Sequence, residues 1–240
     1  MARFGVIIPS TNTAVEEDMW TIRPPGATFH AGRMYIADPR LGSNDEFEAL
    51  LAQIRASIRV AIRDVMTCLP THLLMGMSAE TFWGGVAGNE AFTERVREQS
   101  GLEVSTGATA CRAALEAFGA RRIAVFSPYQ PIADEQVCTF FTEAGFDVAA
   151  IDGLRCPTAT AIAEVGPDRL AEMVASIDRP DVDAIVQVGT NLSFVAQAAG
   201  LESQLGKPVI AINAATLWHA LRATGNTAPI AGHGRLLREF

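Results

Sequence analysis

The stretch Leu73-Leu74-Met75-Gly76-Met77-Ser78-Ala79-Glu80-Thr81 joins a short apolar run to a polar loop that precedes a helical pattern. The stretch Ala184-Ile185-Val186-Gln187-Val188-Gly189-Thr190-Asn191-Leu192-Ser193 repeats this order in the second half of the chain. A buried strand, a loop and a helix form the repeating unit of α/β folds, whose ligands bind at the carboxyl ends of the strands. We therefore predict an α/β protein with a site at these two loops.

Outward from these loops, short β-like runs alternate with helical stretches along the chain. The predicted strands are residues 5–8, 29–36, 73–75, 103–105, 122–126, 147–151, 184–188 and 208–210. The predicted helices are residues 13–20, 44–66, 89–99, 108–118, 131–144, 167–177, 192–199 and 214–222. Strands that alternate with helices form right-handed crossovers, so we expect short parallel sheets flanked by helices.

The two halves of the chain resemble each other. Residues 6–12 (VIIPSTN) and 124–130 (AVFSPYQ) share the order strand, Ser/Pro turn, polar residue and helix. Ile8 and Phe126 are 118 positions apart (126 − 8), and Gly76 and Gly189 are 113 apart (189 − 76). Such similar offsets predict two pseudo-symmetric halves with a site in the cleft between them. We assign residues 1–107 plus 213–240 to the first half and residues 108–212 to the second.

The composition limits the class of partner. Of 240 residues, 19 are basic and 27 acidic, which gives a net charge of −8 and disfavours nucleic acid or an anionic membrane as the main partner. A small anion stays compatible, because backbone N–H groups at helix N-termini bind anions without a basic surface. No apolar run approaches the roughly 18 residues of a membrane span, and the first residues predict a strand instead of a signal peptide. We expect a cytoplasmic protein that binds a small molecule, and the sequence is compatible with a homo-oligomer.

The four cysteines lack the spacing of a metal site. Cys68, Cys111, Cys138 and Cys156 form no CxxC pair, and we interpret them as reduced, inert thiols. No Walker pattern and no GxGxxG after a strand is present in the sequence, which argues against a nucleotide site. We therefore expect neither a metal nor a cofactor.

Four loops are expected to face the cleft: residues 9–13, 76–81, 127–130 and 189–193. They supply neutral hydroxyl and amide groups, namely Ser10, Thr11, Asn12, Ser78, Thr81, Ser127, Tyr129, Thr190, Asn191 and Ser193. A carboxylate needs several N–H and O–H donors at once, which such a set offers. Each residue alone could instead be a helix cap, as the capping-box pattern at residues 13–16 illustrates.

Three residues are candidates for the chemistry. Tyr129, one of only two tyrosines, could donate its hydroxyl proton to a carboxylate or enolate, or could lie in a surface turn. Glu80 is the only acidic side chain of the central loops, and could act as acid or base or face solvent in a first helical turn. Thr190, with Asn191, could hold a reactive water.

Several motifs resemble those of a known superfamily. Residues 9–13 (PSTNT), 127–129 (SPY) and 232–237 (GHGRLL) resemble the maleate cis-trans isomerases, whereas residues 74–78 (LMGMS) resemble the arylmalonate decarboxylases. Both groups belong to the aspartate/glutamate racemase superfamily, and the resemblance covers nearly the whole chain in order. It implies two Rossmann-like halves around a cofactor-independent site.

The resemblance also implies roles for individual residues. Asn12 matches a substrate-binding asparagine of the isomerases, and Tyr129 matches a tyrosine that contacts a substrate carboxylate. Ser78 matches a hydroxyl of the decarboxylase oxyanion pocket, and Met77 stands at a neighbouring threonine position. Ser10, Gly76, Gly189, Thr190 and Asn191 complete the candidate binding set.

The departures from the resemblance concern the chemistry. Isomerases and racemases of this superfamily use one cysteine in each half, and the decarboxylases keep the second. Here Gly76 (or Met77) takes the first position and Gly189 (or Thr190) the second, while Ile162 lies near the place of a later isomerase asparagine. Glycine at both positions is expected to leave room for a bulkier substrate or a reactive water.

We therefore predict a cofactor-independent enzyme that acts on a small carboxylate by decarboxylase- or isomerase-like chemistry without the superfamily cysteines. Glu80, Tyr129 or a water held by Thr190 would replace the thiol. Two alternatives stay open: a hydrolase that opens rings or amides in the same pocket, and a non-catalytic carboxylate-binding protein.

Overall fold

The computed structural model describes residues 2–240; Met1 lies outside the described residues. The strands within this range are β1 (Ala2–Pro9), β2 (Ala27–Met34), β3 (His72–Met75), β4 (Val104–Ser105), β5 (Arg122–Ser127), β6 (Asp147–Gly153), β7 (Ala184–Gln187) and β8 (Val209–Ala211). The α-helices are α1 (Ala14–Thr21), α2 (Asn44–Met66), α3 (Ala79–Phe82), α4 (Gly85–Ser100), α5 (Gly107–Phe118), α6 (Pro131–Glu143), α7 (Pro167–Ile177), α8 (Val195–Leu205), α9 (Ile212–Ala223) and α10 (Arg235–Glu239).

The strands form two four-stranded parallel sheets with the same internal order. The first sheet runs β2-β1-β3-β4 and the second β6-β5-β7-β8. Strands β3 and β7 are buried along their whole length, as expected for parallel strands covered by helices on both faces. The prediction of an α/β fold with two pseudo-symmetric halves is confirmed.

Local sequence explains the longest helix. Ser43 begins α2 by accepting a hydrogen bond from the Glu46 N–H group at 3.2 Å, which satisfies one of the free donors of the first turn. The helix then buries one stripe of apolar side chains: Phe47, Leu50, Leu51, Ile54, Ala61, Ile62 and Val65. A stripe with helical spacing and a good N-cap fix both the helix and its buried face, so the predicted bounds 44–66 match the observed ones.

The shortest elements and the starts of two helices differ from the predictions. Helix α4 begins at Gly85, four residues before the predicted start at residue 89. Helix α3, helix α10 and the 3₁₀ turn Ala161–Glu164 were not predicted, because four or five residues are too few to show a period. Helix α8 begins at Val195 instead of residue 192. The Leu192 N–H group donates to the Gly189 carbonyl at 3.1 Å, so the preceding residues form a turn.

Helix α9 follows the second sheet but packs on the first. It contacts β3 and β4, and also α1 and α5. A buried hydrogen-bonded chain joins it to the first sheet: Ser105 Oγ lies 2.8 Å from His72 Nε2 and 2.7 Å from His219 Nδ1. This packing supports the assignment of residues 213–240 to the first half, which stays a prediction.

Two loops, one from each half, meet above the cleft. The Leu41 N–H group donates to the Pro157 carbonyl at 3.0 Å, and the Ala159 N–H group donates to the Pro39 carbonyl at 2.7 Å. Residues 39–41 and 157–159 thus form an isolated antiparallel bridge, which we call the clasp. Pro39 and Pro157 are 118 positions apart (157 − 39), the same offset that relates Ile8 to Phe126, so the clasp follows the pseudo-symmetry.

Two structural features of other protein classes are absent from residues 2–240. No helix there is long and apolar enough to span a membrane. No group of three or more His, Cys, Asp or Glu side chains in the same range is arranged to hold a metal ion.

Candidate active site

The candidate site lies where the loops that follow β1, β3, β5 and β7 converge. Because these strands are parallel within each sheet, their carboxyl ends present the loops on the same edge. Ser78, which follows β3, and Tyr129, which follows β5, bring their hydroxyl oxygens to 2.5 Å. The Thr190 N–H group, after β7, donates to Ser78 Oγ at 3.3 Å. Ser78 is therefore a hydrogen-bonded junction between the two halves.

Thr190 continues this hydrogen-bonded chain towards Asn12. Its hydroxyl donates to the Gly76 carbonyl at 3.1 Å and accepts from Asn12 Nδ2 at 3.3 Å. Asn12 Oδ1 in turn accepts from the Ala14 and Val15 N–H groups at 3.1 and 3.0 Å, which caps α1. Asn12 thus has both roles considered for it, a helix cap and a cleft-lining amide.

Asn191 makes the equivalent connection on the other side of the pseudo-symmetric site. Its Oδ1 accepts from the Thr13 N–H group at 2.9 Å, and its Nδ2 donates to the Ala159 carbonyl at 2.8 Å. Asn191 stands two residues after Gly189, as Ser78 stands two residues after Gly76. Each of these loops therefore bonds to the first-strand loop of the opposite half.

An ion pair between the buried Asp134 and the partly exposed Arg155 supports the backbone around Tyr129. Asp134 accepts from the Ser127 hydroxyl at 2.5 Å and pairs with Arg155, whose guanidinium also donates to the Tyr129 carbonyl at 2.5 Å. Burial raises the pKa of the Asp134 carboxyl, against the hydrogen bonds from Ser127 and Arg155. Burial also raises the pKa of the Tyr129 hydroxyl, so this group stays protonated and has a proton to donate.

A small cavity of about 50 Å³ lies beside these groups. Its polar wall is formed by Thr11, Asn12, Ser78, Tyr129, Thr190 and Asn191, and its apolar wall by Leu41, Phe47, Leu50, Ile54, Met77 and Ile162. The Phe47 ring packs edge-on against the Tyr129 ring at 5.4 Å, which joins the two walls. Apart from Tyr129, the side chains that line this cavity in the described structure carry no titratable group.

Unpaired backbone donors add to the polar wall. Within the described residues, the N–H groups of Met77, Ser78, Gly189 and Asn191 donate to no protein acceptor. All four residues line the cavity. Free N–H groups beside hydroxyl donors form a preorganised environment for an anion or for an oxygen that gains negative charge.

The structure corrects the expectation that two glycines leave room in the cleft. A Cβ atom on Gly76 would overlap Cγ2 of Ile8 and approach Cγ1 of Val15 to 3.0 Å. A Cβ atom on Gly189 would overlap Cδ of Pro128, with Cγ at 2.6 Å, and the φ of Gly189 is +102°. Neighbouring side chains already occupy the space that cysteines would need, so no extra room results.

The cavity brings together Asn12, Met77, Ser78, Tyr129, Gly189, Thr190 and Asn191 of the candidate residues. Gly76 lies behind it and contributes its carbonyl to Thr190. Ser10 is exposed and accepts from the Ile36 N–H group at 3.0 Å, so its hydroxyl supports the β2 loop. None of the four cysteines lines the cavity, and burial raises the pKa of Cys156 to about 11.

Glu80 is directed away from the cavity. Both of its carboxylate oxygens accept from Arg55 Nε, at 2.8 and 3.0 Å, and a further contact to Arg55 Nη2 measures 2.8 Å. Glu80 lines a separate groove of about 470 Å³ between α2 and α4. The residue is in the first turn of a helix, as one interpretation held, but its side chain is buried in an ion pair instead of facing solvent.

The apolar wall and the residues behind the loops were not predicted from the sequence. Phe47, Leu50 and Ile54 belong to the α2 stripe, which predicts core, and the same stripe supplies the cavity wall. No local pattern distinguishes these two roles. Arg155 donates to the Tyr129 carbonyl 26 positions away, a contact that no local sequence pattern indicates.

The chain is similar to known proteins over most of its length. The chain is 29% identical to a maleate isomerase of Pseudomonas putida, over 98% of this chain and 96% of the relative. It is 32% identical to an arylmalonate decarboxylase of Bordetella bronchiseptica, over 69% of this chain and 70% of the relative. A Nocardia farcinica maleate cis-trans isomerase variant with a covalently bound succinylcysteine intermediate superposes with a TM-score of 0.91 and 25% identity, covering 100% of this chain and 99% of that one.

These relatives are enzymes of the isomerase and lyase type, and the chain shares their fold over its length. Residues 4–237 match the family model of arylmalonate decarboxylase, so the chain belongs to the arylmalonate decarboxylase family. Membership supports a cofactor-independent isomerase or decarboxylase.

Proposed function

We propose that the protein is a thiol-free enzyme of this family, which binds a small carboxylate in the cleft and stabilises negative charge that develops on oxygen. The observation that carries this proposal is the connected set of neutral donors formed by Ser78, Tyr129 and Thr190. Decarboxylation and proton transfer beside a carbonyl both create an enolate-like oxyanion. Preorganised N–H and O–H donors stabilise such an oxyanion in a site with little water.

The roles of the candidate residues follow from their hydrogen bonds. Tyr129 donates to the carboxylate or enolate oxygen, since its hydroxyl stays protonated. Ser78 accepts from the Thr190 N–H and donates its own proton to the Tyr129 oxygen, which leaves the Tyr129 O–H directed at the substrate. Thr190 and Asn12, joined by a hydrogen bond, line the same cavity and position the substrate. Glu80 has no role in this proposal, because Arg55 binds its carboxylate outside the cavity.

The apolar wall favours one kind of substrate. Phe47, Leu50, Ile54 and Ile162 line the cavity beside the donors with apolar side chains. A second carboxylate on that side would lose its hydration without gaining donors, which is costly. We therefore propose a carboxylate that carries an apolar substituent, in the manner of an arylmalonate, in preference to maleate.

The experiment that tests the proposal is proton NMR of the purified protein in D₂O with a panel of arylmalonates, maleate, hydroxy acids and cyclic imides. Loss of a carboxylate or deuterium entry at the α carbon of a member with an apolar substituent is the expected result. Turnover of maleate alone would overturn the substrate class. Ring opening of the imides would support a hydrolase instead, and binding without any turnover would support a carboxylate-binding protein.

Variants connect any observed reaction to the cleft. Tyr129→Phe removes one donor and is expected to lower kcat about 100- to 1,000-fold, the usual effect of losing an oxyanion donor. Tyr35→Phe is the matched control, because Tyr35 is 71% exposed and does not line the cavity. Equal activity of both variants would contradict the proposed role of Tyr129.

A further inference from the structure

A buried carboxyl group lies directly behind the Thr190 loop. Asp18 on α1 is 4% exposed, and Asn213 in the first turn of α9 is 2% exposed. Asn213 Nδ2 donates to Asp18 Oδ2 at 2.7 Å and to the Thr190 carbonyl at 2.9 Å. One amide therefore joins a buried carboxyl to the backbone of a residue that lines the cleft.

The other atom of this amide lacks a partner. Asn213 Oδ1 is buried and has no hydrogen-bond partner among the described residues. Buried polar atoms are nearly always paired, so an orphaned carbonyl oxygen needs an explanation. An ionised carboxylate offers only acceptors and cannot satisfy it, whereas a protonated carboxyl carries one O–H donor. A neutral Asp18 is the neighbouring group that could supply this donor.

The surroundings of Asp18 also favour the neutral form. The charged and titratable groups on α1, on β2 and on α9, which pack around it, are Glu16, Glu17, His30, Arg33, His219 and Arg222. None of the cations among them contacts Asp18: Arg33 binds Glu16, His219 binds Ser105, and Arg222 donates to backbone carbonyls. His30 contacts Thr28.

Burial is the main reason that the proton is retained. It raises the pKa of Asp18 to about 7, and the Glu17 carboxylate adds to the increase while the Asn213 hydrogen bond opposes it. This direction agrees with the geometric argument from the orphaned oxygen.

We propose that Asp18 is a positioning residue that works as a neutral carboxylic acid, paired with Asn213 through two opposed hydrogen bonds. Its O–H donates to Asn213 Oδ1, and the Asn213 amide, fixed in this way, holds the Thr190 carbonyl. The pair thereby keeps the Thr190 hydroxyl and N–H groups against Asn12 and Ser78. Loss of the proton turns the donor into an acceptor that faces another acceptor, so the pair separates and the Thr190 loop loosens. The inference depends on the proposed function only in treating Thr190 as part of the site.

Asp18→Asn is the decisive variant. An asparagine side chain supplies one donor and one acceptor in the shape of a neutral carboxyl and does not titrate near pH 7. Asp18→Leu keeps the volume and removes both groups. Glu17→Gln is the matched control, since this exposed neighbour on the same helix changes charge without touching Asn213.

The first measurement needs no substrate. In protein labelled with ¹³C at the aspartate carboxyls, one resonance that is absent from Asp18→Asn is expected to titrate with a midpoint near pH 7. In Glu17→Gln this midpoint is expected to move by less than about one unit, because the Coulomb interaction between partly solvated groups is modest. A midpoint below pH 5 would show an ionised Asp18 at neutral pH and would overturn the proposal.

The second measurement separates positioning from simple stability. Between about pH 4 and 7 the folded protein holds a proton at Asp18 that the unfolded chain has released, so the contribution of Asp18 to stability is lost as the pH rises through this window. The melting temperature of the original protein minus that of Asp18→Asn is therefore expected to fall from about pH 4 to pH 7. With a substrate from the NMR panel, Asp18→Asn should keep kcat at pH 6 and lose the decrease above pH 7, while Asp18→Leu loses at least tenfold in kcat. A pH profile of Asp18→Asn identical to that of the original protein would overturn the proposal.

The two proposals fail in different ways. If no panel compound is turned over, the carboxyl titration and the Thr190 amide resonance still report on the Asp18–Asn213 pair. A Thr190 amide shift that follows the Asp18 midpoint supports the pair, and one that ignores it contradicts the pair. A normal titration with no turnover would therefore count against the proposed function alone.

Discussion

Pro128 occupies the space beside Gly189 that a side chain would need, with its Cγ 2.6 Å from the position of a Cβ atom. Gly189 also has a φ of +102°, which L-residues with a side chain rarely adopt. Two independent constraints, one steric and one conformational, thus exclude a thiol at this point of the loop. The glycine is part of how the β7 loop packs against the β5 loop.

We expect Gly189→Cys and Gly189→Ala to destabilise the protein by roughly 2–4 kcal/mol, since each combines backbone strain with overpacking. Urea denaturation of both variants measures the free energy of unfolding. Gly200→Ala is the matched control, because nothing lies within 4 Å of a Cβ atom there and alanine favours a helix interior. A Gly189→Cys protein as stable as the control would refute this account of the loop.

The hydroxyl junction leads to a prediction about Ser78. Ser78→Ala removes the groups that contact both the Tyr129 hydroxyl and the Thr190 N–H. We expect kcat to fall by about tenfold to a hundredfold, less than for Tyr129→Phe, since Ser78 acts partly through Tyr129. Steady-state kinetics on a substrate from the panel would check this order. A loss larger than that of Tyr129→Phe would indicate direct contact of Ser78 with the reacting oxygen.

Because Glu80 lies outside the cavity, we expect its charge to matter little for catalysis. Glu80→Gln keeps the shape but removes the charge that binds Arg55, which is half exposed. We expect kcat and KM to change by less than about twofold, and stability to fall by about 1 kcal/mol, the usual range for a partly exposed pair. Kinetics and urea denaturation of the same preparation provide both numbers. A large loss of kcat with unchanged stability would return Glu80 to the catalytic candidates.

The buried His72 makes the fold sensitive to acid. Burial lowers the pKa of His72 to about 4. Burial also lowers the pKa of His219, which bonds to the other side of Ser105. The unfolded chain binds a proton near pH 6.5 that the folded protein refuses, so stability is lost as the pH falls from 6.5 towards 4. From His72 alone we expect the free energy of unfolding to be about 2 kcal/mol lower at pH 5 than at neutral pH.

His72→Gln removes this titration and keeps a side chain that can bond to Ser105. Urea midpoints at pH 7.5, 6 and 5 are expected to decline less steeply in this variant than in the original protein. His233→Gln is the control, since His233 lies in the C-terminal loop and takes no part in this hydrogen-bonded chain. Parallel declines in all three proteins would show that another group dominates the acid response.

The fold was largely predictable because its signals are local. The α2 stripe and its Ser43 cap fixed a 23-residue helix to the residue, and Pro167 did the same for the start of α7. The loops after β3 and β7 were found because each follows a short apolar run. Elements of four or five residues, such as α3, were missed since they contain little more than one turn.

The candidate site was predictable only in part, because contacts between distant residues decide which way a side chain points. The Glu80 side chain points away from the cleft and binds Arg55, 25 positions earlier. No sequence pattern near Glu80 predicts this partner. The space beside Gly189 is filled by Pro128, 61 positions away. The Thr190 carbonyl accepts a hydrogen bond from Asn213, 23 positions later. Such pairings arise from tertiary packing, which single residues do not encode.

The clasp joins the two halves through main-chain atoms, whereas its side chains form the surface that solvent contacts. Its two hydrogen bonds join main-chain atoms of Pro39, Leu41, Pro157 and Ala159, so they survive most side-chain replacements at Arg40 and Thr158 between them. The clasp can therefore keep its hydrogen bonds while its exposed side chains change. Substitutions at Arg40 and Thr158 are therefore expected to change the charge and shape of this surface while both backbone hydrogen bonds are kept.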